Sequence, residues 1–110
     1  MEESFTKRVI AVLKGIPEGQ VTTYGIVAAL AGNPRAARQV VRILHSMSKK
    51  YNLPWHRVIN SKGFIAINDP SGFDEQRILL SLEGVYSDKE GKVNVERFWA
   101  GQDDKIFNRG

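Results

Sequence analysis

The chain of 110 residues contains no cysteine. That absence removes disulfide cross-links, thiolate nucleophiles and every metal or iron–sulfur site built on sulfur. Proline is scarce, and no Pro/Gly/Ser-rich linker or internal repeat divides the sequence. One domain is therefore expected over residues 1–110, with about 86–110 set apart as a C-terminal extension. No stretch approaches the ~20 apolar residues that span a bilayer; the longest such run, Gly25 to Gly32, is short. Met1-Glu2-Glu3-Ser4 lacks the basic and apolar regions of a secretory signal. The expectation is a soluble cytoplasmic protein with no membrane partner.

Acidic residues are missing from one long stretch. Between Gly19 and Asn68 stand seven basic residues (Arg35, Arg38, Arg42, Lys49, Lys50, Arg57, Lys62) and no carboxylate. The formal net charge of +4 hides this asymmetry, because residues 1–62 hold ten basic and three acidic groups and residues 63–110 hold six and nine. A positive field over one part of the surface suits a polyanionic partner, and a solvated face that serves solubility is the competing reading.

What is present reads mainly as helix. Phe5, Val9, Ile10, Val12 and Leu13 recur at helical spacing from Ser4 to about Lys14, ended by Gly15 and Pro17-Glu18-Gly19. Thr22 and Thr23 stand where a helix N-cap belongs, and Tyr24 to Ala31 predicts a short helix closed by Gly32. Asn33-Pro34 predicts an immediate restart and a helix to about Met47. Two helices across so short a corner form a helix-turn-helix.

On that second helix, Arg35, Arg38, Arg42, His45 and Lys49 fall within roughly an 80° sector, counting about 100° per residue. Ala36, Ala37, Val40, Ile43, Leu44 and Met47 lie opposite. Backbone phosphates need such a row of cations, and the small Ala36-Ala37 start allows close approach, as in a recognition helix. A solvated amphipathic helix usually mixes charge signs on its exposed side, and this one has no acid.

Further along, Val58, Ile59, Phe64, Ile65 and Ile67 flank the turn Asn60-Ser61-Lys62-Gly63, predicting a small β-hairpin or wing. Asp69-Pro70-Ser71-Gly72 reads as a loop and Phe73 to Leu82 as a helix. Val93-Asn94-Val95 is a candidate short strand, Phe98 and Trp99 are expected to pack back onto the core, and the tail is expected to fray. The fold class expected is mainly α, a winged helix-turn-helix-like domain with a small β-hairpin.

Four motifs carry a resemblance. Gly19 to Tyr24, Ala28 to Arg38 (AALAGNPRAAR), Pro54-Trp55-His56-Arg57-Val58-Ile59-Asn60 and Leu80 to Gly84 together resemble the DNA-binding and active-site domain of the O6-alkylguanine-DNA alkyltransferases. The likeness covers about residues 5 to 84. The family signature is Pro-Cys-His-Arg-Val, whose Cys accepts the alkyl group from O6 of guanine, and Trp55 stands in its place. That departure resembles the alkyltransferase-like subgroup, as does Gly91 to Trp99.

The resemblance implies a helix-turn-helix in the minor groove and extrusion of the damaged nucleotide, since O6 is paired and stacked inside a duplex. It makes Tyr24 the residue that helps rotate the nucleotide out and Arg38 the arginine finger that fills the vacancy. Thr23, Asn33, Arg35, Ala36 and Arg42 complete the expected DNA contacts. Trp55, Val58, Ser71 and Gly72 join Tyr24 in the expected lesion pocket, with Asn68 where some relatives carry Arg. His56 and Glu83 match the pair that activates the family's cysteine, and without a thiol they form a vestigial relay. Plainer readings remain open: Tyr24 a half-buried aromatic, Arg38 a phosphate contact, Trp55 a core residue.

The implied function is a non-enzymatic damage sensor that binds O6-alkylguanine in double-stranded DNA, transfers nothing and flags the lesion for nucleotide excision repair proteins. It needs no cofactor, and two histidines without cysteine or clustered carboxylates make no metal site. A monomer suffices for one flipped base, and in a bacterium the protein would sit at the nucleoid. Two other classes stay open: a helix-turn-helix transcription regulator or general DNA-binding protein, and a hydrolytic repair enzyme using His56 and Glu83.

Overall fold

The computed structural model describes residues 4–101. Ser4 starts the first helix, α1 (Phe5–Lys14), by accepting the Lys7 N–H on its hydroxyl at 3.2 Å. Val9 and Leu13, one turn apart, are its fully buried face. A two-residue strand, β1 (Thr22–Thr23), leads directly into α2 (Tyr24–Leu30), because Thr23 accepts the Ile26 N–H at 3.1 Å and caps that helix as its sequence position predicts.

The next helix, α3 (Ala37–Tyr51), starts later and runs further than the spacing predicts. The Asn33 side chain accepts the Arg35 N–H at 3.2 Å and its carbonyl accepts the Ala36 N–H at 3.0 Å. Asn33 thus closes a turn on itself instead of capping a helix, a use of Asn that competes with helix initiation. Residues 31–36 therefore separate α2 from α3, a longer corner than expected, and Arg35 sits in it. Asn52, left-handed at φ 53°, ends α3 and turns the chain toward Leu53-Pro54-Trp55.

A single 3-10 turn (Trp55–Arg57) leads into β2 (Val58–Ile59), which pairs in parallel with β1, Thr22 opposite Val58 and Thr23 opposite Ile59. This corrects the expected hairpin. The turn forms, with Asn60 Oδ1 accepting the N–H groups of Lys62 and Phe64 and one backbone bond from Asn60 N to Phe64 O. Beyond it the chain turns away to residues 91–93, through Ile65 N to Gly91 O and Val93 N to Gly63 O, both 2.9 Å. Ladder partners so distant in sequence leave no trace in the local pattern, and Val93 contributes an isolated bridge with Ser87, not a strand.

The last helix, α4 (Pro70–Leu82), instead starts early. Asp69 caps it by accepting the Gly72 N–H at 2.9 Å and Pro70 occupies the first helical position, where its missing N–H costs nothing. Ser71 and Gly72 are thus the first turn of a helix and not a loop. Gly91 is held at φ 94°, and a Cβ there would meet the Phe73 ring at 2.8 Å, so both backbone and packing require glycine.

Two cores meet at the parallel pair. Val9, Leu13, Val27, Val40, Ile43 and Val58 belong to the helical one, and Val21, Ile59, Ile65, Leu80 and Val93 to the other. Adjacent strand residues point to opposite faces, so Val58 and Ile59 fill one core each. The segment after α4 returns as expected: Trp99 is buried in the helical core, its N–H reaching Val21 O at 2.7 Å and its carbonyl accepting the buried Thr22 hydroxyl at 2.6 Å. The frayed tail predicted beyond it lies outside the described residues.

Candidate nucleic-acid interface

α2 packs across α1 and α3 and leaves the cationic face of α3 free, with Arg38, Arg42, His45 and Lys49 all exposed. Arg35 is exposed just before it. No side chain caps α3, and an uncapped helix start beside Arg35 and Arg38 suits a phosphate. The Ala36 side chain is buried in the helical core, on the side opposite the cations, and its carbonyl accepts from Gln39 and Val40. Thr23 is buried too and its hydroxyl is spent on the Ile26 N–H. Asn33 is exposed, with Oδ1 engaged by Arg35.

Behind this face lies a cavity of about 490 Å³, within the roughly 300–1,000 Å³ of small-ligand sites. Tyr24 at the head of α2 and Trp55 in the 3-10 turn both line it. The second half of α3 contributes Val41, Leu44, His45, Ser48 and Lys49, and the remainder comes from Asn52, Leu53, Ile67 and Gln76. Burial raises the Tyr24 phenol above its ordinary value, so it stays a neutral hydrogen-bonding group. Trp55 packs partly against the core and meets His56 edge-on, ring centroids 6.2 Å apart, leaving indole surface toward the cavity.

Other expected pocket residues do not line this space. The Val58 side chain is buried at 1% exposure. Ser71 is exposed at the head of α4, and Gly72 backs onto Ile67, whose Cγ2 lies 2.9 Å from where a Cβ on that glycine would be. Asn68 is exposed beside them.

Gln76 is the residue that the sequence pattern gives least reason to choose. It is 1% exposed, and its amide donates to the carbonyls of His56 and Val58 at 3.0 and 3.1 Å. Two carbonyl partners fix which end is NH2, and Oε1 has no partner among the described residues. Ser48 Oγ, on the opposite element, is likewise buried and unpartnered. The one available signal is polarity at an inward helical position, Gln76 lying four residues before Leu80.

His56 and Glu83 are brought together, 2.7 Å from Nε2 to Oε2. Arg57 grips the same carboxylate with Nε and Nη2, the latter at 2.7 Å, and sends Nη1 to Ile16 O; the Gly19 N–H adds a further bond at 2.9 Å. Burial alone would raise the Glu83 carboxyl, but the hydrogen bonds from Arg57, Gly19 and His56 outweigh it and hold the pKa at about 2. A carboxylate so fully engaged is a poor proton acceptor. It fastens the 3-10 turn, the loop before β1 and the end of α4 together.

Residues 4–85 match the family described as the 6-O-methylguanine DNA methyltransferase DNA-binding domain. The chain is 46% identical over 97 residues to the DNA base-flipping protein of Escherichia coli, covering 88% of this chain and 74% of that one. It is 44% identical over 86 residues to alkyltransferase-like protein 1 of Schizosaccharomyces pombe, covering 77% and 79%. The crystal structure of that yeast protein with damaged DNA containing O6-carboxymethylguanine superposes with a TM-score of 0.74 at 36% identity, over 90% of this chain and 98% of the other. No helix among the described residues is long and apolar enough to cross a membrane.

Proposed function

Because the chain belongs to the 6-O-methylguanine DNA methyltransferase DNA-binding-domain family, we propose that it binds O6-alkylguanine in duplex DNA, flips the nucleotide and leaves the alkyl group in place. The observation that carries this reading is one cavity, lined by Tyr24 and Trp55, opening beside an acid-free cationic helix. Phosphates neutralise Arg35, Arg42 and the uncapped start of α3, which positions the chain without reading bases. Thr23, Asn33 and Ala36 then serve through the backbone and the turn that they build. Docking is in the minor groove.

Arg38 enters the stack. Its planar guanidinium suits both stacking on neighbouring bases and hydrogen bonding at its edge. Tyr24 crowds the phosphate of the extruded nucleotide, and the Trp55 indole receives the alkyl group and purine plane by apolar contact. Val58 and the backbone around it are assigned to the base contact by the family resemblance, with the Val58 carbonyl held by Gln76. Ser71 and Gly72 are assigned to the pocket by the family resemblance, with Ile67 as the link between Gly72 and the cavity.

Alkyl transfer requires a nucleophile, and at the family's acceptor position stands an indole whose nitrogen is no match for a thiolate. Glu83, already held by Arg57, has nothing to activate. The stable complex on a monomeric protein is then a flag for nucleotide excision repair proteins in the cytoplasm, at the nucleoid in a bacterium. Incubating the protein with a duplex carrying one O6-methylguanine and weighing both partners tests the chemistry. Unchanged masses are expected, and a methylated protein or an unmodified guanine would overturn the reading.

A further inference from the structure

The cavity is chemically lopsided. Trp55, Val41, Leu44, Leu53 and Ile67 give it apolar walls, whereas α3 adds an ammonium at Lys49, an imidazole at His45 and the buried hydroxyl of Ser48, which has no partner among the described residues. Its remaining polar side chains, Tyr24, Asn52 and Gln76, are neutral, and no carboxylate lines it among the described residues. His45 and Lys49 stand one turn apart on one face of α3. Lys49 lies eleven residues beyond Arg38, about 16 Å further along the helix. A cation there borders the pocket and not the uncapped end of the helix where phosphate docks.

We infer that this wall of α3, with Lys49 as its charge, selects O6-alkylguanines whose alkyl group ends in an anion. The inference rests on the base-pocket reading above and adds the class of adduct that the pocket prefers. A methyl group offers the α3 wall nothing. A carboxylate on a short alkyl arm brings a negative charge and acceptors for the Lys49 ammonium, the His45 ring N–H and the Ser48 hydroxyl, while its methylene lies on the indole. Charge-assisted bonds of this kind are the stronger ones.

The test uses the full chain and four duplexes that differ in one base: guanine, O6-methylguanine, O6-carboxymethylguanine and O6-carboxamidomethylguanine, the last a neutral near-isostere of the third. Wild type should bind the carboxymethyl adduct roughly three- to tenfold more tightly than the carboxamidomethyl adduct at moderate salt. Lys49→Gln should erase that ratio and Lys49→Arg should keep it, with thermal melting of both variants showing the fold intact. Equal affinity of wild type for the two adducts, with O6-methylguanine still preferred over guanine, overturns this inference alone. Equal affinity for O6-methylguanine and guanine sinks the base-pocket reading with it. A Lys49→Gln variant that loses the same factor on all four duplexes makes Lys49 a phosphate anchor and also overturns the inference.

Discussion

His56 Nε2 lies 2.7 Å from Glu83 Oε2, and the Arg57 guanidinium closes on the same oxygen at 2.7 Å. The pair expected as a vestigial relay is therefore part of a structural clasp. At 10% exposure, Glu83 is also shielded from the screening that weakens surface ion pairs.

Stability should follow the Glu83 carboxyl. Its folded pKa of about 2 lies below the ordinary 4.5, so ionised Glu83 stabilises the fold above pH 4.5 and the contribution disappears as pH falls through 2. Glu83→Gln should cost about 3 kcal/mol at pH 7. In denaturant titrations across pH, the gap between wild type and variant should close at the acid end, and a gap independent of pH would contradict the assigned pKa.

Gln76 is predicted to be a structural bracket. Gln76→Leu removes both amide donors and strands the His56 and Val58 carbonyls, a loss of about 2–4 kcal/mol. Calorimetry should show Tm falling by roughly 10 °C or more. A variant that melts like wild type would show that those carbonyls find other partners.

These contacts mark where sequence reasoning stops. Ser4 and Thr23 announce their helices because a cap acts within three residues, and the apolar spacing of α1 and α3 reports the buried face directly. The start of α3 departs from its spacing because Asn33 has two local hydrogen-bonding choices that the sequence allows equally. The expected hairpin gives way because β2 takes a parallel partner 36 residues upstream. Of the pocket, Tyr24 and Trp55 are legible through motif resemblance, whereas Ser48, Lys49 and Gln76 line one space only because the fold sets α3, α4 and the 3-10 turn around it.

Arg38 and Lys49 should separate in binding to an O6-methylguanine duplex. Arg38→Ala should weaken it at least about tenfold, the loss of a central arginine anchor, and Lys49→Ala should weaken it less. Fluorescence anisotropy at stated salt measures both, and the reverse order would reduce Arg38 to a phosphate contact.

Restoring a thiol should not restore an enzyme. In Trp55→Cys the bulky indole wall is lost and the cavity of about 490 Å³ grows, so the alkyl carbon is held loosely and misplaced from the sulfur. Mass spectrometry after incubation with O6-methylguanine DNA should find little methylated protein, and rapid stoichiometric methylation would show the rest of the site to be intact alkyltransferase machinery.

If the cavity beside α3 reads the damaged base, affinity must change when that base alone is changed. Equilibrium affinities for two duplexes identical except for guanine or O6-methylguanine, measured over a range of salt, test it most directly. Phosphate neutralisation makes both affinities fall along parallel lines in log K against log salt, since that contribution is blind to the base. The O6-methylguanine line should lie at least about tenfold above the other, the separation that about 1.4 kcal/mol of pocket contact provides. Coincident lines would contradict it and leave a general DNA-binding protein.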